Sequence, residues 1–98
     1  MLFMCQGTTR PGLSADERQK VLQLFAGWTP PAGLDIKAHY VSAEGTDYVI
    51  VETTSAATLI EATAIWAPFV SYAVTPIVAA QDAVAEIKRA EDKRRTLI

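Results

Sequence analysis

The stretch LDIKAHYVSAEGTDYVIVET, residues 34–53, decides the fold. Two runs rich in β-branched and aromatic residues, Leu34 to Ser42 and Thr46 to Thr53, flank Glu44-Gly45, and glycine there allows the positive backbone angle of a tight hairpin. With Glu44 and Gly45 as a two-residue loop, Val41 faces Tyr48, His39 faces Ile50 and Lys37 faces Glu52 on one side of the sheet. Tyr40 with Val49, Ala38 with Val51 and Ile36 with Thr53 then share the other side, which reads as core.

On the amino-terminal side, Leu2 to Gln6 is short and apolar and runs into Gly7-Thr8-Thr9-Arg10-Pro11-Gly12, so it reads as a strand entering a loop. Ser14-Ala15-Asp16-Glu17 places a hydroxyl three residues before a carboxylate, the pattern of a capping box. The helix it opens carries Val21, Leu24, Phe25 and Trp28 at three- and four-residue spacing, and Thr29-Pro30-Pro31-Ala32-Gly33 stops it. On the carboxyl side, Ser55 caps a second helix with an apolar stripe of Leu59, Ala62, Ile65 and Trp66, ended by Pro68. Val70 to Val78 is a strand that belongs at a sheet edge, because Pro76 has no amide proton for a ladder. Gln81 to Arg94 makes a last helix with Ala83, Val84 and Ile87 facing inward.

Strand, helix, strand, strand, helix, strand is the split βαβ order of ferredoxin-like α+β folds, here with an extra charged carboxy-terminal helix over 81–95. Both crossover helices lie on one face of a four-stranded antiparallel sheet, so the other face needs water-tolerant side chains or a second subunit. Val41, Tyr48 and Ile50 are expected there, with Tyr72, Val74 and Val78 of the last strand. That surface is too apolar for open water, and a homodimer would cover it and enclose a cavity.

Length and composition agree. Ninety-eight residues, half of them hydrophobic, with a net charge of −2, fit one domain over residues 1–98. So short a chain has a thin core that a partner subunit helps to close. No apolar run approaches the roughly 20 residues of a membrane span, and the start lacks the features of a signal peptide, so a cytoplasmic protein is expected. Cys5 is the single cysteine and His39 the single histidine, which excludes an internal disulfide and a Cys/His zinc site. A pI near 5.2 argues against a general nucleic-acid binder. Within that acidic total, Lys88, Arg89, Lys93, Arg94 and Arg95 against Glu91 and Asp92 leave +3 on residues 88–98 and −5 on the remainder.

Met1-Leu2-Phe3-Met4, Ser14-Ala15-Asp16-Glu17-Arg18, Trp28-Thr29-Pro30-Pro31, Lys37-Ala38-His39-Tyr40, Trp66-Ala67-Pro68-Phe69 and Val74-Thr75-Pro76 together resemble a family of short bacterial proteins catalogued as a domain of unknown function. The resemblance covers about positions 1–80. That family is similar in turn to the dimeric α+β barrel superfamily, which spans cofactor-independent monooxygenases, lactone isomerases, haem-degrading enzymes and ligand sensors. The resemblance implies a fold and a cavity; it brings no catalytic residue with it.

His39 is the first candidate for chemistry, because an imidazole beside a carboxylate takes up and returns protons near neutral pH. The plainer reading is a polar side chain hydrogen-bonded at a subunit interface. Lys37 opposite Glu52 is either an anion anchor with its orienting carboxylate or an ordinary cross-strand ion pair. Tyr48 and Tyr72, with Ile50, offer ring surface and hydroxyl handles to an aromatic or quinone-like ligand, and interface packing explains them equally. Trp28 and Trp66 belong beneath the helices, and Cys5 is a buried, unreactive thiol. No phosphate loop or metal-carboxylate motif is present, and His39 is the sole imidazole for a haem, so no cofactor is expected. The leading expectation is a homodimer binding a small organic molecule through Lys37, Tyr48, Ile50, Glu52 and Tyr72. The alternatives are an enzyme of the cofactor-independent monooxygenase or isomerase kind that moves a proton with His39, and a non-catalytic interaction subunit.

Overall fold

The computed structural model describes all residues, Met1–Ile98. The chain folds as β1 (Leu2–Thr9), α1 (Ala15–Gly27), β2 (Asp35–Val41), β3 (Thr46–Glu52), α2 (Ala56–Ala64), β4 (Val70–Ile77) and α3 (Ala80–Leu97). The strands form one antiparallel sheet in the order β2-β3-β1-β4. This is the ferredoxin-like arrangement with an added carboxy-terminal helix, and Pro76 lies on the edge strand β4 as its missing amide proton demands.

Local chemistry sets the helix starts. Ser14 Oγ accepts from the Glu17 amide at 3.1 Å, and the Glu17 carboxylate accepts from the Ser14 amide at 3.1 Å, completing the capping box of α1. The Ser14 amide donating to the Glu17 carboxylate, and next the Ser14 side chain, lower the Glu17 carboxyl from its ordinary value, since both favour the charged form. Ser55 Oγ accepts from the Thr58 amide at 3.2 Å and caps α2.

The hairpin register differs from the expected one. Ser42 to Gly45 forms a turn closed by the Gly45 amide donating to the Ser42 carbonyl (2.9 Å), and the Ser42 amide donates to the Thr46 carbonyl (2.9 Å). The loop therefore contains three residues, Ala43-Glu44-Gly45, with Gly45 alone at positive φ (84°). A two-residue loop would have favoured positive φ at Glu44 as well, which a side chain with a Cβ resists. Val41 consequently pairs with Asp47, Tyr40 with Tyr48 and His39 with Val49. Further along, a β-bulge between Ile36 and Ala38 gives β2 the extra residue Lys37, so that Ile36 still meets Val51.

This register exchanges faces. Cys5 and Val51 are buried with Leu34, Leu59 and Ala62 in the core between sheet and helices, where Phe3, Trp28, Val49 and Tyr72 pack against them. Alternation then puts Gly7, Ile36, His39, Asp47, Val49, Tyr72 and Val74 on the helix-covered face, and Leu2, Met4, Gln6, Tyr40, Tyr48, Ile50 and Ile77 on the open face. Tyr40, expected in the core beside Val49, is exposed on the open face instead. Trp28 and Trp66 meet edge to face at 5.7 Å between their ring centroids, beneath the helices as their spacing predicted.

The core is thin. Nine residues are buried and none is fully enclosed. The last helix departs from expectation: α3 buries no residue, and Val84 and Ile87, expected to face inward, are 64% and 58% exposed. It stands away from the sheet, giving a radius of gyration of 17.5 Å, against about 13 Å for a compact chain of this length.

Candidate functional site

Three strands bring one row of side chains across the helix-covered face. Gly7 on β1 pairs with Asp47 on β3 and with Tyr72 on β4, so a residue without a side chain separates an acid from a phenol. A Cβ at position 7 would stand 2.8 Å from Tyr72 Cε1 and 3.0 Å from Val70 Cγ1, which is why the Tyr72 ring can lie flat over β1. One row along, His39 reaches diagonally to Asp47, with 3.1 Å between Nε2 and Oδ1. An ionised carboxylate only accepts, so Nε2 carries the shared proton and Nδ1 is the basic atom of the neutral ring. The Phe25 ring of α1 lies tilted against the imidazole, with centroids 6.1 Å apart.

These groups border a cavity of about 540 Å³ between the sheet and the helices. Its lining is mostly apolar, with aromatic walls from Phe25, Trp28 and Trp66, aliphatic ones from Val21, Val49 and Leu59, and Cys5 beneath. The volume falls in the range that holds a small organic ligand. His39 and Asp47 sit at its rim, their side chains about one-third exposed. Tyr72 lies deeper, where its phenol is pushed up to about 12 by loss of hydration first and by the Asp47 carboxylate and Cys5 next. It therefore stays a neutral donor at any physiological pH. Burial also raises the Cys5 thiol, which keeps it protonated and a poor nucleophile. A second hollow of about 480 Å³ between α1 and α2 has Glu61 as its single titratable group and offers no comparable chemistry.

The residues singled out from sequence thus fall into two sets. His39 and Tyr72 come together, on the face opposite to the one expected. Lys37, Tyr48, Ile50 and Glu52 remain on or beside the open face, where Lys37 Nζ and Glu52 Oε2 are 4.0 Å apart and both half exposed, a weak cross-strand pair. Asp47 was missed. The two-residue loop had put it on the side of the sheet opposite His39. No group of three or more metal-ligating side chains comes together, and no helix is long and apolar enough to cross a membrane.

Among protein families, the domain of unknown function DUF3303 matches residues 1–91. The match runs beyond position 80, where the sequence resemblance ended, and takes in α3 as far as Glu91. No curated protein and no solved structure matches the chain.

Proposed function

The chain belongs to the DUF3303 family, and we propose that it binds a small, largely aromatic organic molecule in the cavity between its helices and its sheet. The observation that carries this reading is the pairing of an apolar cavity with a few convergent polar groups: the Tyr72 hydroxyl as donor and the His39 and Asp47 pair at the rim. A ligand of this kind places its ring among Phe25, Trp28 and Trp66 and directs a hydroxyl or enol toward His39. A second copy of the chain belongs to the same reading, because Leu2, Met4, Tyr48, Ile50 and Ile77 leave the open face apolar.

Titration with 1-naphthol, followed through tryptophan fluorescence, tests the cavity. Wild-type protein is expected to bind saturably, with quenching because Trp28 and Trp66 line the site, and His39→Ala to bind about tenfold more weakly, the order of one hydrogen bond. Absence of saturation, or equal affinity in His39→Ala, sinks the reading.

The His39 and Asp47 geometry favours one further reading of the same site. A carboxylate fixing Nε2–H leaves Nδ1 free to take a proton from an acidic ligand, as a general base does. An Asp47→Asn variant that binds the ligand normally yet lowers its turnover would mark an enzyme; unchanged turnover would leave a binding protein.

A further inference from the structure

The helix α3 has no partner within its own chain. It spans 18 residues, or about 27 Å, buries no side chain and lacks a side-chain cap at Ala79. Its internal support is limited to pairs one turn apart, Glu86 with Arg89 and Asp92 with Arg95, both exposed. Such pairs contribute only a few tenths of a kcal/mol each, and lone helices of this length depend on packing for their stability. Yet α3 has a packing face: Ala83, Val84, Ile87 and Ala90 recur at three- and four-residue spacing along one side. Within the same molecule the open sheet face is also uncovered, and its strands of seven and eight residues are about 25 Å long, close to the helix length.

We propose that α3 is an intermolecular clasp, its stripe of Val84 and Ile87 lying across the open sheet face of a second copy, around Met4, Tyr48 and Ile50. Charge favours this occupant. The end of α3 is basic, with +3 on residues 88–98, and Asp35 and Glu52 are paired at one end of that sheet with Lys37 beside Glu52. Within one chain the helix projects away from the sheet, so the complementary surface it meets belongs to another copy. Two such clasps, exchanged reciprocally, cover both open faces under a two-fold axis. The clasp rests on the self-association included in the functional reading, and it names the element that performs it.

Sedimentation velocity of the full chain, wild type and Ile87→Glu, is read beside a disulfide trap between two differently tagged chains, one Ile87→Cys and the other Ile50→Cys. Wild-type Cys5 is buried and serves as the silent control. The expected results are a wild-type dimer, a dissociation constant at least tenfold higher for Ile87→Glu with β-sheet circular dichroism retained, and a trapped band carrying both tags. A wild-type monomer overturns self-association and clasp together. A wild-type dimer that Ile87→Glu leaves intact, or that traps only Ile87→Cys with itself, overturns the clasp and leaves self-association standing. A monomer-sized disulfide in a chain carrying both Ile50→Cys and Ile87→Cys, without an interchain band, means the helix folds onto its own sheet and likewise overturns the clasp. Binding of 1-naphthol by Ile87→Glu separates this outcome from the cavity reading, since α3 supplies no residue to that lining.

Discussion

Gly7→Ala probes the closest packing in the molecule. Position 7 is buried on the central strand β1 with ordinary, negative φ, so alanine meets no backbone penalty. Taken alone, replacing a strand glycine with alanine stabilises by roughly 0.5–1 kcal/mol, because the unfolded chain loses freedom. Against that, the new methyl stands 2.8 Å from Tyr72 Cε1, 3.3 Å from Tyr72 Cδ1 and 3.0 Å from Val70 Cγ1. Overpacking of this kind costs about 1–3 kcal/mol, and the Tyr72 ring has one direction of escape, into the cavity. The expected net loss is about 1 kcal/mol. At a urea m-value near 1 kcal/mol/M for a chain of this size, the midpoint falls by about 1 M. The assay is urea unfolding followed by circular dichroism, repeated in a Tyr72→Ala background. There two of the three clashing atoms are gone, and the same substitution is expected to cost close to nothing. A coupling near 1 kcal/mol between positions 7 and 72 supports the packing described. Equal cost in both backgrounds, or stabilisation of the otherwise wild-type chain, refutes it.

Other outcomes follow from the same packing. The Tyr72 phenol titrates at about 12 in the folded protein, above the ordinary value of 10. Its contribution is fully present below pH 10 and is lost as pH rises from 10 to 12, because the unfolded chain releases the proton first. Since the ring is only half buried, the loss amounts to about 1 kcal/mol after solvent screening, and Tyr72→Phe removes it from a stability curve measured across that interval. Trp66→Ala opens the roof of the cavity and removes both edge-to-face contacts, with Trp28 and Phe25; about 3 kcal/mol or more of stability goes with it, read in the same urea assay. Ser14→Ala removes the hydroxyl half of the capping box and lowers stability by about 1 kcal/mol in thermal unfolding, and the Glu17 carboxyl titration, followed by NMR, shifts upward only in part, because the amide of residue 14 still donates to it.

What was legible in sequence was what local chemistry decides. Ser14 and Glu17 announced a helix start, Ser55 another, Pro76 an edge strand, and the spacing of Leu59, Ala62 and Trp66 placed a buried stripe, whereas the stripe read on α1 buries no residue and leaves Phe25 exposed. The order of elements then left one sheet topology. The site was less legible because a strand assigns its side chains to faces by counting, and the count begins at a turn. Reading Glu44-Gly45 as the whole loop moved His39 to the open face, and one further loop residue, Ala43, returns it beneath the helices. The preference of Glu44 for negative φ was the available clue. Tyr72 was misplaced with it, because its face is fixed by pairing with Gly7 in β1, a strand 65 positions earlier. The stripe on α3 was legible too, but periodicity marks a face without naming what the face meets.

The bulge at Lys37 has a consequence for strand length. Ile36 and His39 are three apart, an odd spacing that in a regular strand sends two side chains to opposite sides. Here both face the helices because Lys37 is absorbed without advancing the alternation. Removing one residue at this point would leave Ala38 opposite Ile50, Ile36 opposite Val51 and Asp35 opposite Glu52, an unbroken ladder with the same imidazole over the same cavity. A single-residue gap between Leu34 and His39 in a related chain is therefore a flatter strand carrying an intact rim, whereas a gap between His39 and Asp47 turns that rim inside out.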